Sequence, residues 1–324
     1  MTIKVREYEV RLTRTKEERR QVRQLRYSVF VEEEGASATE EQKNLREEYD
    51  TYDRFAEYLA VFHNGKVVGT YRIINRDAAE KMGGFYTETE FDISKIKKSG
   101  ANIAEMSRAC VAPEYRDNAL VMRLLWVGLG EYIVRHKIGI VFGVASWPGT
   151  NPAQSAQAIS YLYYNHLSPL RLRATVEPTK LVEGVNPKLT RMNILPEVFV
   201  DKAEAMRQMT PLVKGYLRIN ATFGRGVFID KPFNSYDVFV MLRTKDMDSV
   251  YKKHFFGTDE SFEGEDFELP SNFIQTLGKV IASPVKGAVQ VARSVFSFLL
   301  REDAADAELI QDTDKNEDEE EKAE

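Results

Sequence analysis

The residues best equipped for chemistry crowd the first third of this chain. Arg26 and Phe30 stand in LRYSVF, Asp50 and Asp53 in DTYDRF, Arg72 in VVGTYRII, and Glu105 and Arg108 in AEMSRACV. Guanidinium groups grip carboxylates in bidentate pairs, so Arg26, Arg72 and Arg108 suit a substrate that carries a carboxylate, as an amino acid does. Asp50 and Asp53 can meet a second ammonium group, and Glu105 can take a proton, directly or through water, or hold an ammonium. A structural alternative stands beside each reading. Glu–Arg and Arg–Asp networks often tie strand to helix, and paired aspartates often cap or brace a loop.

Further blocks follow in a fixed order: FVEEEGA, VVGTYRI, GGFYTETEFD, SRACVAPEYR, ASWPGT, SYLYYNHLSP, MNILP, PLVKGYLRINA and FNSYDVFV. Their order, from about Leu25 to Phe256, resembles the ornithine N-acyltransferases of ornithine-lipid synthesis. The set in the first third also resembles that of acyl-homoserine-lactone synthases, which are shorter and lack PLVKGYLRINA. The resemblance implies a fold of the Gcn5-related N-acyltransferase type, an α/β domain with a mixed, largely antiparallel sheet. It implies transfer of a 3-hydroxyacyl group from acyl carrier protein to the α-amine of ornithine, giving lyso-ornithine lipid. It also places the thioester along Ile103–Val111, as a splayed and often bulged strand whose backbone N–H groups polarise the carbonyl.

Such a transfer needs orientation, oxyanion donors and a proton acceptor, with no cofactor beyond the acyl donor. Glu105 and Arg108 are the catalytic candidates; Arg26, Phe30, Asp50, Asp53 and Arg72 are the substrate-binding ones. Related acyltransferases use a tyrosine to protonate the leaving thiolate, and SYLYYNHL offers Tyr161, Tyr163 and Tyr164, of which Tyr164 is carried forward; core packing is the alternative for all three. Coenzyme A sites bring bare backbone N–H groups to the pyrophosphate through a glycine loop. From Arg116 onward this chain has Ala119 and Val121 at the glycine positions. That favours the phosphopantetheine of a carrier protein, with Val111 and Arg116 as its expected contacts. Two rival readings stay open: transfer to another amino acid or amine, including lactone-signal synthesis, and a non-catalytic acyl-carrier or membrane adaptor.

The elements that must position these residues are legible from periodicity. Lys4–Leu12 reads as a strand and Lys16–Glu33 as a helix, with Val22, Leu25, Val29 and Phe30 at helical spacing. Tyr58–Phe62 and Lys66–Ile74 read as a hairpin around Asn64 and Gly65. Ile103–Val111 is a strand on which simple alternation puts Glu105 and Ser107 on one face and Arg108 on the other. Helices are expected over Leu120–His136, Ala153–Leu167 and Asp201–Asn220, and strands over Ile138–Ala145 and within Val227–Leu242. The domain reading is an acyltransferase domain over 1–260, a linker and amphipathic helix over 261–301, and an acidic tail over 302–324. Residues 272–300 are apolar on one face with Lys279, Lys286 and Arg293 opposite, a pattern suited to a bilayer interface or to packing on protein.

Bulk properties narrow the classes. The 324 residues carry a formal net charge of −5, but from Glu302 onward twelve acidic residues face two lysines, a net of −10 that leaves the rest at +5. A mildly basic body suits acidic acyl carrier protein or an anionic membrane surface. No dense basic patch with interleaved aromatics points to nucleic acid. The lone Cys110 sits in a β run and reads as a small apolar residue, not a nucleophile. The four histidines show no metal-ligand spacing, so no metal is expected. With no spanning run, no signal-like start and one cysteine, the expected location is the cytoplasm, at the inner face of the membrane if the helix at 272–300 binds there.

Overall fold

The computed structural model describes residues 2–117, 120–176 and 190–247. The amphipathic helix expected at 272–300, the acidic tail and the expected domain boundary near 260 lie outside the described residues. The described chain divides into a main unit, from Tyr8 onward with residues 2–3, and a second unit of which Lys4–Glu7 are described. The strand expected over Lys4–Leu12 is two strands, β1 (Ile3–Val5) and β2 (Tyr8–Leu12). Arg6 separates them with a left-handed backbone, φ 53°.

In the main unit the sheet runs β2, β3 (Glu57–His63), β4 (Lys66–Asn75), β6 (Ile103–Val111), β7 (Ile140–Pro148), β11 (Ser235–Arg243) and β10 (Phe228–Asp230). A short β9 (Thr222–Phe223) also pairs with β11, while β5 (Phe91–Asp92) and β8 (Thr175–Val176) make a small separate sheet. Every pairing in the larger sheet from β2 onward is antiparallel except β6 with β7. The mixed, largely antiparallel sheet expected from sequence is therefore present. Asn64 and Gly65, both at positive φ, close the β3–β4 hairpin as an Asn-Gly turn should.

Helix α1 (Lys16–Arg26) starts at a capping box, with Thr15 and Glu18 each accepting the other's backbone N–H. Glu18 also accepts two bonds from Arg11 of β2, at 2.8 and 3.0 Å, fixing the helix against the sheet. The α-helix ends at Arg26, short of the Glu33 that the periodicity suggested. Tyr27–Glu33 winds as a π-helix, with Glu34 N–H reaching back to Val29 O at 3.0 Å. Widened turns of this kind gather at functional sites. This one follows directly on the fully buried Arg26.

The remaining helices are α2 (Glu40–Leu45), α3 (Arg76–Met82), α4 (Ser94–Lys97), α5 (Leu120–Arg135), α6 (Ala156–Asn165), α7 (Lys202–Gln208) and α8 (Pro211–Arg218). The single helix expected over Asp201–Asn220 is two. Pro211 has no N–H to continue α7, and Thr210 caps the fresh start by accepting Val213 N–H at 3.3 Å. The front of the helix expected over Ala153–Leu167 is a 3₁₀ turn, Pro152–Ser155. Among the described residues no helix is long and apolar enough to cross a membrane.

Candidate functional site

Two departures from regular sheet build the site on β6. Against β4, Thr70 faces Cys110 and Arg72 faces Ser107, so β6 carries one residue more than its partner between these pairs. The extra residue is absorbed where Arg108 adopts φ 51°, a bulge. Alternation alone would send Arg108 to the opposite face from Ser107. The bulge turns it back, and both reach the same cluster. Against β7, the parallel ladder ends at the pair Glu105–Phe142, and the two strands part beyond it. They stay in close contact just at the fork, where a Cβ on Gly143 would collide with Met106 O.

Three arginines and three carboxylates interlock on this face. Arg26 grips Asp53 in bidentate fashion, Nη1 to Oδ1 at 2.9 Å and Nη2 to Oδ2 at 3.0 Å, and donates through Nε to Glu48. Arg72 donates through Nη1 to both oxygens of Asp50 at 2.7 Å and to Asp53 at 3.3 Å, and through Nε to Ser107 Oγ at 3.0 Å. Arg108 donates to Glu48 and to Asp50, each at 3.3 Å. Arg26 and Arg72 are fully buried. Burial pushes the Asp53 carboxyl up, but Arg26 and Arg72 outweigh it and hold the group well below the usual range. Asp50 and Asp53 also cap their own 3₁₀ turn, Thr51–Arg54, so both readings of the pair are realised in one place. Their oxygens are occupied by arginines, not left for an ammonium.

Aromatic rings wall the cluster. The Arg108 guanidinium lies 4.5 Å from the Tyr86 ring centre and 4.3 Å from that of Phe233, and Phe30 meets Phe233 edge-on at 6.1 Å. Glu105 is wholly buried, and its Oε2 accepts Thr87 N–H at 2.9 Å from the turn that begins at Tyr86. Burial raises its carboxyl above the ordinary value, while Arg72 opposes the rise. Two buried atoms here have no hydrogen-bond partner: Arg72 Nη2, a donor, and Glu105 Oε1, an acceptor.

The other expected residues lie apart from this cluster. Arg116 donates to Val111 O at 2.9 Å and pairs with Glu33 at 2.6 and 2.9 Å, so the two expected donor contacts do meet each other, at the far end of β6. Tyr164 donates to Leu195 O at 3.1 Å, and Tyr161 lies beside His166. Cys110 is buried, which pushes its thiol up and away from nucleophilic use.

Several residues of the site carry no signal in periodicity. Glu48 and Tyr86 sit in irregular segments, and Ser107 is small. Asp237 was more legible, as the one acidic residue in the largely apolar run SYDVFVMLR. It meets Glu90 and Asp230, and one carboxylate oxygen from each of the three lies within 4.8 Å of the other two. All three residues are buried. Burial, then mutual repulsion, raises Glu90, and Asp237 is pushed up to about 7 by burial despite a bond from Ser146. The absence of paired histidines said nothing about such a group, and it is the one place among the described residues where side chains converge in a form that could take a cation.

Residues 25–127 match a family model described as an acetyltransferase (GNAT) domain. A relative from Rhodobacter capsulatus, named L-ornithine N(alpha)-acyltransferase, is 34% identical over 258 residues, covering 76% of this chain and 94% of its own. One of the same name from Agrobacterium fabrum is 33% identical over 265 residues, covering 79% of this chain and 87% of its own. Among solved structures, the acyl-homoserine-lactone synthase LasI superposes with a TM-score of 0.40 at 13% identity, covering 78% of this chain and 95% of that one. With relatives matched over most of their length at this identity, and with the arginine–carboxylate cluster built on a bulged and forked strand, the chain belongs to the L-ornithine N(alpha)-acyltransferase family and is an acyltransferase.

Proposed function

We propose that this chain transfers a 3-hydroxyacyl group from the phosphopantetheine thioester of acyl carrier protein to the α-amine of ornithine, yielding lyso-ornithine lipid. One observation carries the reading beyond the relatives' names. A buried donor, Arg72 Nη2, and a buried acceptor, Glu105 Oε1, both lack partners in one cluster. Unmade hydrogen bonds of this kind are costly. The α-carboxylate and α-ammonium of an amino acid would satisfy both at once.

In this reading Arg72, flanked by Arg108, takes the carboxylate, and Glu105 takes a proton from the α-ammonium. The freed amine attacks the thioester carbonyl carbon beside the forked edge of β6, whose backbone N–H groups favour the oxyanion. The C–N bond forms, the attacking nitrogen gives up its second proton to solvent, the C–S bond breaks, and the thiolate is protonated by solvent, since the Tyr164 hydroxyl is engaged by Leu195 O. Beyond the fork, Tyr71, Met106, Trp126, Gly143, Tyr216 and Met241 help line an apolar cavity of about 90 Å³ suited to part of an acyl chain. Val111 and Arg116 would meet the phosphopantetheine. The cytoplasm, with residues 272–300 against the inner membrane face, is the location this proposal carries, because the product is amphiphilic.

The test is incubation of the full chain with an equimolar amino-acid mixture and either a 3-hydroxyacyl carrier protein or the matching coenzyme A thioester, read by mass spectrometry. Acyl-ornithine from the carrier-protein donor is expected. Acylation of another amino acid overturns the acceptor, equal use of coenzyme A overturns the donor, and no product from either overturns the reaction.

A further inference from the structure

The arginine–carboxylate cluster is balanced: Arg26, Arg72 and Arg108 stand against Glu48, Asp50 and Asp53. Glu90, Asp230 and Asp237 are surplus to it. They are 2%, 7% and 2% exposed, and among the described residues no lysine or arginine forms an ion pair with any of them. Phe233 N–H meets Asp230 at 3.1 Å, Ser235 Oγ meets Asp237 at 3.2 Å and the Tyr86 hydroxyl interacts with Glu90, while the Arg108 charge acts on all three without pairing with any. Glu90 Oε2, buried in the same group, has no hydrogen-bond partner. Three carboxylates held together in this way repel each other, and each is costly to bury unpaired. A fold that assembles them from three separate elements, the end of the Tyr86–Thr89 turn, β10 and β11, gains from a cation that visits.

The neighbourhood says which cation. The same two residues that sandwich Arg108 lead to the trio: Tyr86 opens the turn that Glu90 ends, and Phe233 donates its N–H to Asp230. The trio thus borders Arg108, the arginine that flanks Arg72 through their shared partner Asp50. A primary ammonium has three donors, matching three acceptors. Asp50 and Asp53, the sequence candidates for this role, are taken by arginines.

We propose that Glu90, Asp230 and Asp237 form the pocket for the side-chain ammonium of the acceptor and so select a diamino acid over a neutral one. The proposal rests on the amino-acid acceptor reading above. A site built to pair a polar group strongly rejects the analogue that lacks it, because its own groups are then left unpaired.

The test compares L-ornithine with L-norvaline, which has the same carbon chain and no δ-amine, on the full-length wild type, D237N and E90Q with one acyl carrier protein donor. Wild type should prefer ornithine by about 10³-fold or more in kcat/KM. Each variant should lose about 10²-fold on ornithine, mainly through KM, while norvaline turnover changes less than about threefold, so the preference collapses. Both substitutions are near-isosteric and relieve repulsion, and thermal melts of each variant report whether the fold is kept. Turnover of ornithine with an unchanged preference in folded variants overturns the pocket alone; no turnover of either amine by wild type overturns the acceptor reading and the pocket with it. If a variant fails to fold, thermal shifts of wild type with each amine decide: stabilisation by ornithine but not norvaline supports the pocket, and equal response overturns it. Stabilisation by a divalent cation in place of ornithine overturns it as well.

Discussion

Arg72 Nε donates to Ser107 Oγ at 3.0 Å across the last regular pair before the β6 bulge, so the buried guanidinium is aimed from one strand by a hydroxyl on the next. That single bond leaves Nη1 for Asp50 and Asp53 and turns Nη2 toward no protein partner. Ser107→Ala should therefore raise KM for the amino acid several-fold, by freeing Arg72 to rotate, with a smaller effect on kcat. Steady-state kinetics at saturating donor would show it. An unchanged KM would mean that Ser107 does not aim Arg72.

Glu105 is the proposed proton acceptor. Glu105→Gln keeps shape and the bond from Thr87 N–H but cannot accept a proton. It should lower kcat by about 10²–10⁴ with little change in amino-acid KM. Because burial raises this carboxyl, wild-type kcat should climb with pH through a value above the ordinary carboxylate range, and that limb should vanish in the variant. A limb that survives belongs to another group.

Arg26 serves the fold, because it neutralises Asp53 and Glu48 inside the protein. Arg26→Gln leaves Asp53 to Arg72 alone and Glu48 to Arg108 alone, one positive charge short in a buried cluster, and should cost about 3–5 kcal/mol in urea unfolding. Lysine, which keeps the charge but loses the bidentate grip, should fall between. A loss under about 1 kcal/mol for the glutamine variant, against the several expected for a broken buried pair, would show that the cluster holds without its anchor.

The hairpin, the β6 strand and the charge set of the first third were legible because each leaves a local pattern: an Asn-Gly turn, alternation, or a charge in an apolar run. The π-helical stretch after Arg26 was not, since Val29 and Phe30 fit an α period well enough to hide a change in bonding pattern. Arg108's side was not, because one inserted residue inverts alternation from there on, and insertion is visible only against the partner strand. Pro211 was readable as a break, but the apolar spacing on either side runs through it. The acidic trio stayed hidden for another reason: Glu90 is far in sequence from the β10–β11 hairpin that carries Asp230 and Asp237, and only the fold brings it there.

Stability should respond to pH through that trio. Burial pushes the Asp237 carboxyl up to about 7 in the folded protein, above its unfolded value, so between those values the folded state holds the extra proton. Its contribution is full at acid pH below the unfolded value and is lost as pH rises through about 7. Glu90 and Asp230 shift in the same direction. The melting temperature of the free protein should fall between about pH 5 and 8, and D237N should flatten that fall. An identical slope in both proteins would deny the trio its raised affinity for protons.

The reaction itself is tested most sharply by asking which nitrogen of ornithine receives the acyl group. With ornithine labelled with ¹⁵N at the δ position, fragment ions of the product should place the acyl group on the unlabelled α-nitrogen and leave the labelled amine free. That result is required if Arg72 and Glu105 hold the two α-groups. Acyl transfer to the labelled δ-nitrogen would refute the proposed mechanism, for it would set the side-chain amine, not the α-amine, at the fork of β6 and β7.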